Sequence, residues 1–171
     1  MFHIPGRAAD TTLEPLDRIQ LSFFREVGLD VQSALLDFHM GPLSQRRDIS
    51  MLGLLHKCVL GCAHPSLCQM FAPAPSTQIQ SQHATRLARH RHNRQINDVW
   101  RGGQLDIVRR SLLGLIKVYN ILPQQVVDAA DVHIFQKRVT SIIRRACEDG
   151  VQDWQALLSP RKSSLSFWMQ V

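Results

Sequence analysis

Hydrophobic residues along this chain recur at three- and four-residue intervals, and no alternating run of useful length interrupts them. That spacing is the helical one, so the pattern predicts an all-α fold, about six helices in one small bundle. In TTLEPLDRIQLSFFREVGL, Leu16, Ile19, Phe23 and Val27 form one stripe. Thr11 and Glu14 suit a capping box, Pro15 falls in a tolerant first turn, and Gly28 supplies a stop. Asp30 is placed to cap a short helix that turns Ala34, Leu35 and Phe38 inward before Gly41-Pro42 breaks it. The helix in LSQRRDISMLGLLHKCVLG presents Ile49, Leu52, Leu55 and Val59 to a core, leaves Arg46, Arg47 and Lys57 off that stripe, and ends at Gly61. A further short helix starts at Pro65 and carries Leu67 and Phe71 inward.

After Phe71 the periodicity stops. APAPSTQIQSQ is rich in Pro, Ser and Gln, ATRLARHRHNRQ is rich in Arg and His, and Leu87 is nearly alone as an apolar anchor. Residues 72–103 are therefore expected to form a long, basic, partly disordered insert. The helical pattern resumes in LDIVRRSLLGLIKVYNILP, where Leu105, Val108, Leu112, Leu115 and Tyr119 share a face and Pro123 closes the segment. A last strong helix begins at Asp131 as N-cap, buries Val132, Phe135, Val139, Ile142 and Ala146, places Arg144 and Arg145 at its negative end, and stops at Gly150. A short helix around Trp154, Leu157 and Leu158 precedes a frayed tail. The expected organisation is a disordered start (1–10), an N-terminal helical half (11–71), the linker (72–103), a C-terminal helical half (104–158) and a tail (159–171).

Composition narrows the partners. A chain of 171 residues builds one domain, and a net charge of +6, carried mostly by arginine, favours RNA or DNA over other ligands. No apolar run approaches the ~20 residues that span a bilayer, so no membrane partner is expected. MFHIPGRAAD lacks an apolar h-region, which points to an intracellular protein, nuclear or cytoplasmic and not secreted, with reduced thiols.

Chemistry is sparse. Template-directed polymerisation needs clustered carboxylates that hold two metal ions, yet no Asp-Asp dipeptide occurs and the one tyrosine, Tyr119, is followed by Asn120 and Ile121. No catalytic residue is assigned. Asp128 and Asp131 read as caps in a turn. Cys58, Cys62, His64 and Cys68 carry zinc-ligand chemistry, but their C-x3-C-x-H-x3-C spacing matches no zinc pattern, and cysteines flanking an apolar stripe pack as small hydrophobes. No metal, cofactor or small-molecule substrate is expected. The remaining constellation is Arg86, Arg89, Arg91 and Arg94, interleaved with His90 and His92 and followed by Trp100 and Arg101. Flexible arginines bind phosphates and an exposed ring stacks on a base; the same residues also suit a solvated basic loop, with Trp100 packed on the helices.

Two stretches resemble a known family. PLSQRRDISMLGLLHKCVLGCAHPSL is similar to the post-catalytic region of non-LTR retrotransposon reverse transcriptases, with Pro42, Leu43, Arg46, Arg47 and Asp48 filling an Arg-Arg-Asp start and Met51 to His56 the helix after it. RRSLLGLIKVYNILPQQVVDAADVHIFQKRV resembles the family's C-terminal pattern through Arg110, Ser111, Tyr119, Asn120, Leu122, Pro123, Phe135, Gln136 and Arg138. LEPLDRIQLSFFREVGL looks like its leucine-rich helix just beyond the polymerase palm. The resemblance runs from about Leu13 to Leu158, the insert excepted. It implies a non-catalytic segment that helps hold an RNA template, with the upstream polymerase domains of a parent protein as partners. The alternative is a helical protein-interaction module with no nucleic-acid role. The motif positions themselves read as structural: Asn120 suits a turn, Leu122 anchors it and Pro123 blocks helix continuation.

Overall fold

The computed structural model describes residues 10–74, 92–98, 111–159 and 165–168. These form helices α1 (Asp10–Glu26), α2 (Val31–Phe38), α3 (Leu43–Val59), α4 (Pro65–Met70), α5 (Leu115–Tyr119), α6 (Gln124–Val127), α7 (Val132–Glu148) and α8 (Leu165–Trp168), with a 3-10 turn at Trp154–Ala156. The protein is all-α, and the one β-type pairing among the described residues is an isolated antiparallel bridge between Pro73 and Ile96. No helix among the described residues is long and apolar enough to cross a membrane.

The caps form where local chemistry puts them. Asp30 accepts hydrogen bonds from the Ser33 amide (2.9 Å), the Ser33 hydroxyl (2.9 Å) and the Gln32 amide (2.7 Å), which hold its carboxyl below the usual carboxylate value. Asp131 accepts from the Ile134 amide at 2.9 Å. Gly28, Gly61 and Gly150 all sit at positive φ just past a helix end. There the next residue's amide reaches back to a carbonyl of the last turn, as Leu29 does to Phe24 (2.8 Å), Cys62 to Lys57 (3.0 Å) and Val151 to Ala146 (2.9 Å). The capping box expected at Thr11 and Glu14 takes another form: the helix already includes Asp10, and Glu14 pairs with Arg18 one turn on (2.7 Å).

The core is the seam between α3 and α7, the most extensively packed pair of elements. The two run in opposite directions. Gln45 at the start of α3 reaches the Trp154 carbonyl beyond α7, Gly53 lies against Val132 and Gln136, and His56 meets Phe135 near α7's beginning. Leu52, Leu55 and Cys58 from α3 and Phe135, Val139, Ile143, Ala146 and Cys147 from α7 are fully buried. Ile49, Val59 and Ile142 pack at the edge of this core, so each stripe is rotated slightly from the one the sequence predicts.

Three expectations change in the fold. The segment before Pro123 is buried nearly all round. Leu112, Leu113, Leu115, Ile116, Val118 and Tyr119 are inside and Lys117 is exposed, so α5 is a central rod rather than an amphipathic surface helix. Leu105 and Val108 lie outside the described residues. Next, α1 docks through a side adjacent to the expected one. Phe24 is buried, the Asp17 carboxylate receives both hydrogen bonds of an Arg47 guanidinium nitrogen (2.9 Å each), and Gln20 donates to Gly41 O (3.1 Å) and accepts from the Leu43 amide (2.9 Å). Leu16, Ile19, Phe23 and Val27 sit roughly a quarter turn away and remain exposed, Ile19 most of all at 65%. Phe38 of α2 is exposed as well. Finally, two stretches of the insert, residues 72–74 and 92–98, are structured. Ala74 N–H donates to Gln95 O (2.7 Å) and Asn97 N–H to Ala72 O (3.3 Å), while His92, Gln95 and Ile96 are buried. Composition marked the whole of 72–103 as loop because its buried side chains are mostly polar.

Gly53 sets how close α3 and α7 come. A Cβ there would lie 2.5 Å from the Gln136 amide nitrogen and 3.1 Å from Val132 Cγ1. The Gln136 end group can swing aside, and alanine gains about 1 kcal/mol of helix propensity over glycine. Gly53→Ala is therefore expected within about 1 kcal/mol of wild type, whereas Gly53→Leu overpacks the seam and should lose about 2–3 kcal/mol. Urea denaturation of the two variants checks this ordering.

Candidate functional site

The sequence motifs lead to one place. His56, at the end of the MLGLLH run on α3, is fully buried between the rings of α5 and α7. Its ring stacks on Phe135, with centroids 4.3 Å apart and planes 11° from parallel. Nε2 lies 3.1 Å from the Ala129 carbonyl, which can only accept, so Nε2 carries the proton. Nδ1 is then an acceptor, and the Tyr119 hydroxyl donates to it at 3.0 Å. One neutral tautomer satisfies both contacts.

A second histidine repeats the arrangement. The buried His92 ring meets Tyr119 edge-on, with centroids 5.4 Å apart at 87°. Its Nε2–H donates to the Tyr119 carbonyl (2.9 Å), and its Nδ1 accepts from the Arg94 amide (3.1 Å). Around this pair, side-chain amides take the place of a sheet. Asn120 accepts from the Ile96 amide (2.8 Å) and donates to the Ile96 carbonyl (2.9 Å). Gln95 donates to the Asn120 carbonyl (3.1 Å), and Gln124 both accepts from the Asn93 amide and donates to its side-chain oxygen (2.9 Å each).

Electrostatics follow from burial. Burial lowers the affinity of both histidines for a second proton, more than their carbonyl partners and nearby carboxylates raise it, and the Arg94 guanidinium pushes the same way. Burial also drives the Tyr119 phenol well above its ordinary range. Both ring nitrogens of each histidine and the phenol are engaged. The node therefore offers no free base, nucleophile or metal ligand; its chemistry is to satisfy polar groups inside an apolar core.

The other sequence-selected residues are placed as follows. Arg86, Arg89, Arg91, Trp100, Arg101 and Arg110 lie outside the described residues. Arg94, expected to offer its charge to phosphate, points its guanidinium at the carbonyls of Val127 (2.8 Å) and Ala129 (3.4 Å) where α6 ends. Pro42 opens α3, Arg46 is exposed, Arg47 holds Asp17, and Asp48 is buried. Ser111 is buried and its hydroxyl accepts from the Leu113 amide (3.2 Å). Leu122 is fully buried and Pro123 opens α6, as the turn reading expects. Arg138 donates to the Gln125 carbonyl.

The cysteine run does not converge. Cys58 faces the core, where burial pushes its thiol up to about 11; Cys62 is exposed; Cys68 donates to Ala63 O (3.5 Å); and His64 caps α4 by accepting from the Ser66 amide (3.3 Å). Among the described residues no three His, Cys, Asp or Glu side chains are gathered as a metal site would need. Missed from sequence were Asn93, Gln95, Ile96 and Gln124, none of which belongs to a periodic apolar pattern, and His92, read as part of the basic run, is instead buried against Tyr119. Compared with protein-family models, curated proteins and solved structures, the chain matches none.

Tyr119→Phe removes the donor to His56 and leaves Nδ1 buried without a partner, which should destabilise the protein by about 1–3 kcal/mol. His56→Phe in the same background should then cost less than His56→Phe alone. Denaturant unfolding of the four proteins in a double-mutant cycle measures the coupling, and additive losses would show that the two groups act independently.

Proposed function

We propose that this chain is a non-catalytic accessory segment of the kind that follows the catalytic domain of non-LTR retrotransposon reverse transcriptases, and that it contributes nucleic-acid contacts through its arginine-rich run. One observation supports the reading above others. The stretches that carry the resemblance lie far apart in sequence, yet His56, Tyr119, Asn120, Leu122 and Phe135 all belong to one buried node and its flanking turn. These five motif residues serve the buried framework, which supports the reading. The phosphate-binding role is assigned to Arg86, Arg89 and Arg91, since Arg94 is engaged by carbonyls.

A second reading, a helical protein-interaction module without nucleic acid, is favoured by the exposed stripe Leu16, Ile19, Phe23 and Val27 on α1. It also fits a segment that rests on upstream polymerase domains, so the stripe alone does not separate the two.

Titration of labelled single-stranded RNA at several salt concentrations does. If the three arginines each contact a phosphate, the log–log salt slope should be about −2, and changing all three to alanine should flatten it while helicity stays intact. Equal affinity and equal slope for both proteins would favour the interaction module.

A further inference from the structure

Residues 92–98 are joined to α5 and α6 almost entirely by polar contacts, with Ile96 as their buried apolar anchor. His92 is the deepest of these contacts, 1% exposed. One ring nitrogen faces an acceptor, the Tyr119 carbonyl, and the other faces a donor, the Arg94 amide. Only a neutral imidazole protonated at Nε2 satisfies both. A second proton on Nδ1 would point at the Arg94 N–H, replacing an attraction with a clash of two donors, and would place a charge in the core.

We propose that His92 is an acid-sensitive clasp, whose protonation releases residues 92–98 from α5 and α6 while the α3–α7 seam stays folded. The seam is built from Leu52, Leu55, Phe135, Val139 and Ile143, all fully buried on α3 and α7, the most extensively packed pair of helices. The charged and titratable groups facing the ring come from several elements. The Arg94 guanidinium and His56 on α3 oppose a second proton, whereas Asp128 after α6 and the Tyr119 carbonyl of α5 favour it. Burial outweighs them all, so the proton affinity of the closed form is lowered from the ordinary histidine value of 6.5. His56 faces Arg94, Asp131 and Ala129 and is lowered in the same way, but it belongs to the seam and not to the released segment.

The sign follows from linkage. Above about pH 6.5 both closed and open forms are neutral at His92 and opening does not depend on pH. Below it the open form takes up a proton that the closed form refuses, and the opening constant rises toward tenfold per pH unit. Opening also frees the Arg94 guanidinium from Val127 and Ala129, so acid adds two cationic groups next in sequence to Arg86, Arg89 and Arg91.

Residue-resolved amide exchange on the full chain, from about pH 7.5 to about pH 5, tests the clasp. After correction for intrinsic exchange, the opening constants of the Arg94 and Ile96 amides should climb nearly tenfold per unit below about pH 6 and stay well above those of α3 and α7 amides, which open only with the seam. His92→Gln keeps a donor and an acceptor but no titrating group, and should abolish the climb. A flat wild-type profile, opening constants no larger in the segment than in α3 and α7, or a segment climb that survives in His92→Gln would each overturn the proposal. If that variant fails to fold, the His92 ring can be titrated in the wild type by NMR. A midpoint that coincides with segment opening supports the clasp, and a ring that becomes charged while the segment stays closed refutes it.

Discussion

The hydrogen bond from the Tyr119 hydroxyl to His56 Nδ1 is the contact around which the rest of this molecule is arranged. It sits where α3, α5 and α7 meet, and both side chains are fully buried. A polar group in such a place costs more unpaired than it gains paired, so every neighbour is constrained by it. Ala129 must present its carbonyl to Nε2, which fixes the turn between α6 and α7. Phe135 must lie flat against the imidazole, which fixes the rotation of α7. Tyr119 must hold its ring edge-on to His92, so its carbonyl and Asn120 collect residues 92–98. Networks of this kind specify one arrangement of helices where apolar packing alone tolerates several.

Much of this was legible in the sequence, and the parts that were not share a cause. Helix ends were legible because capping is local: Asp30, Asp131, Gly28, Gly61 and Gly150 act within one turn of themselves. The stripes of α3 and α7 were legible because each helix has one buried side and one wet one. Periodicity failed in two ways. For α5 it selected one face of a rod that is buried on nearly all sides. For α1 it found the apolar side correctly and assigned it to the core, whereas Asp17, Gln20 and Phe24 make the docking contacts and the apolar stripe faces outward. Residues 92–98 were missed because their burial depends on partners in Tyr119, Asn120 and Gln124, more than twenty positions away. An arginine- and histidine-rich stretch looks like loop until those partners are known.

The same division separates stability from function. The buried node uses up the hydrogen-bonding capacity of its histidines and its tyrosine, so reactive chemistry has no opening there. The apolar stripe proposed to meet a partner lies on the outside of α1. His56, Tyr119, Asn120, Leu122 and Phe135 are therefore framework.

Long-range proton–nitrogen NMR spectra of the full chain near neutral pH test this account most directly. Both His56 and His92 are predicted to be neutral, with the proton on Nε2 and an unprotonated Nδ1 that accepts a hydrogen bond. A charged His56 ring, or one protonated at Nδ1 instead, would contradict the central contact, because neither form can accept from the Tyr119 hydroxyl.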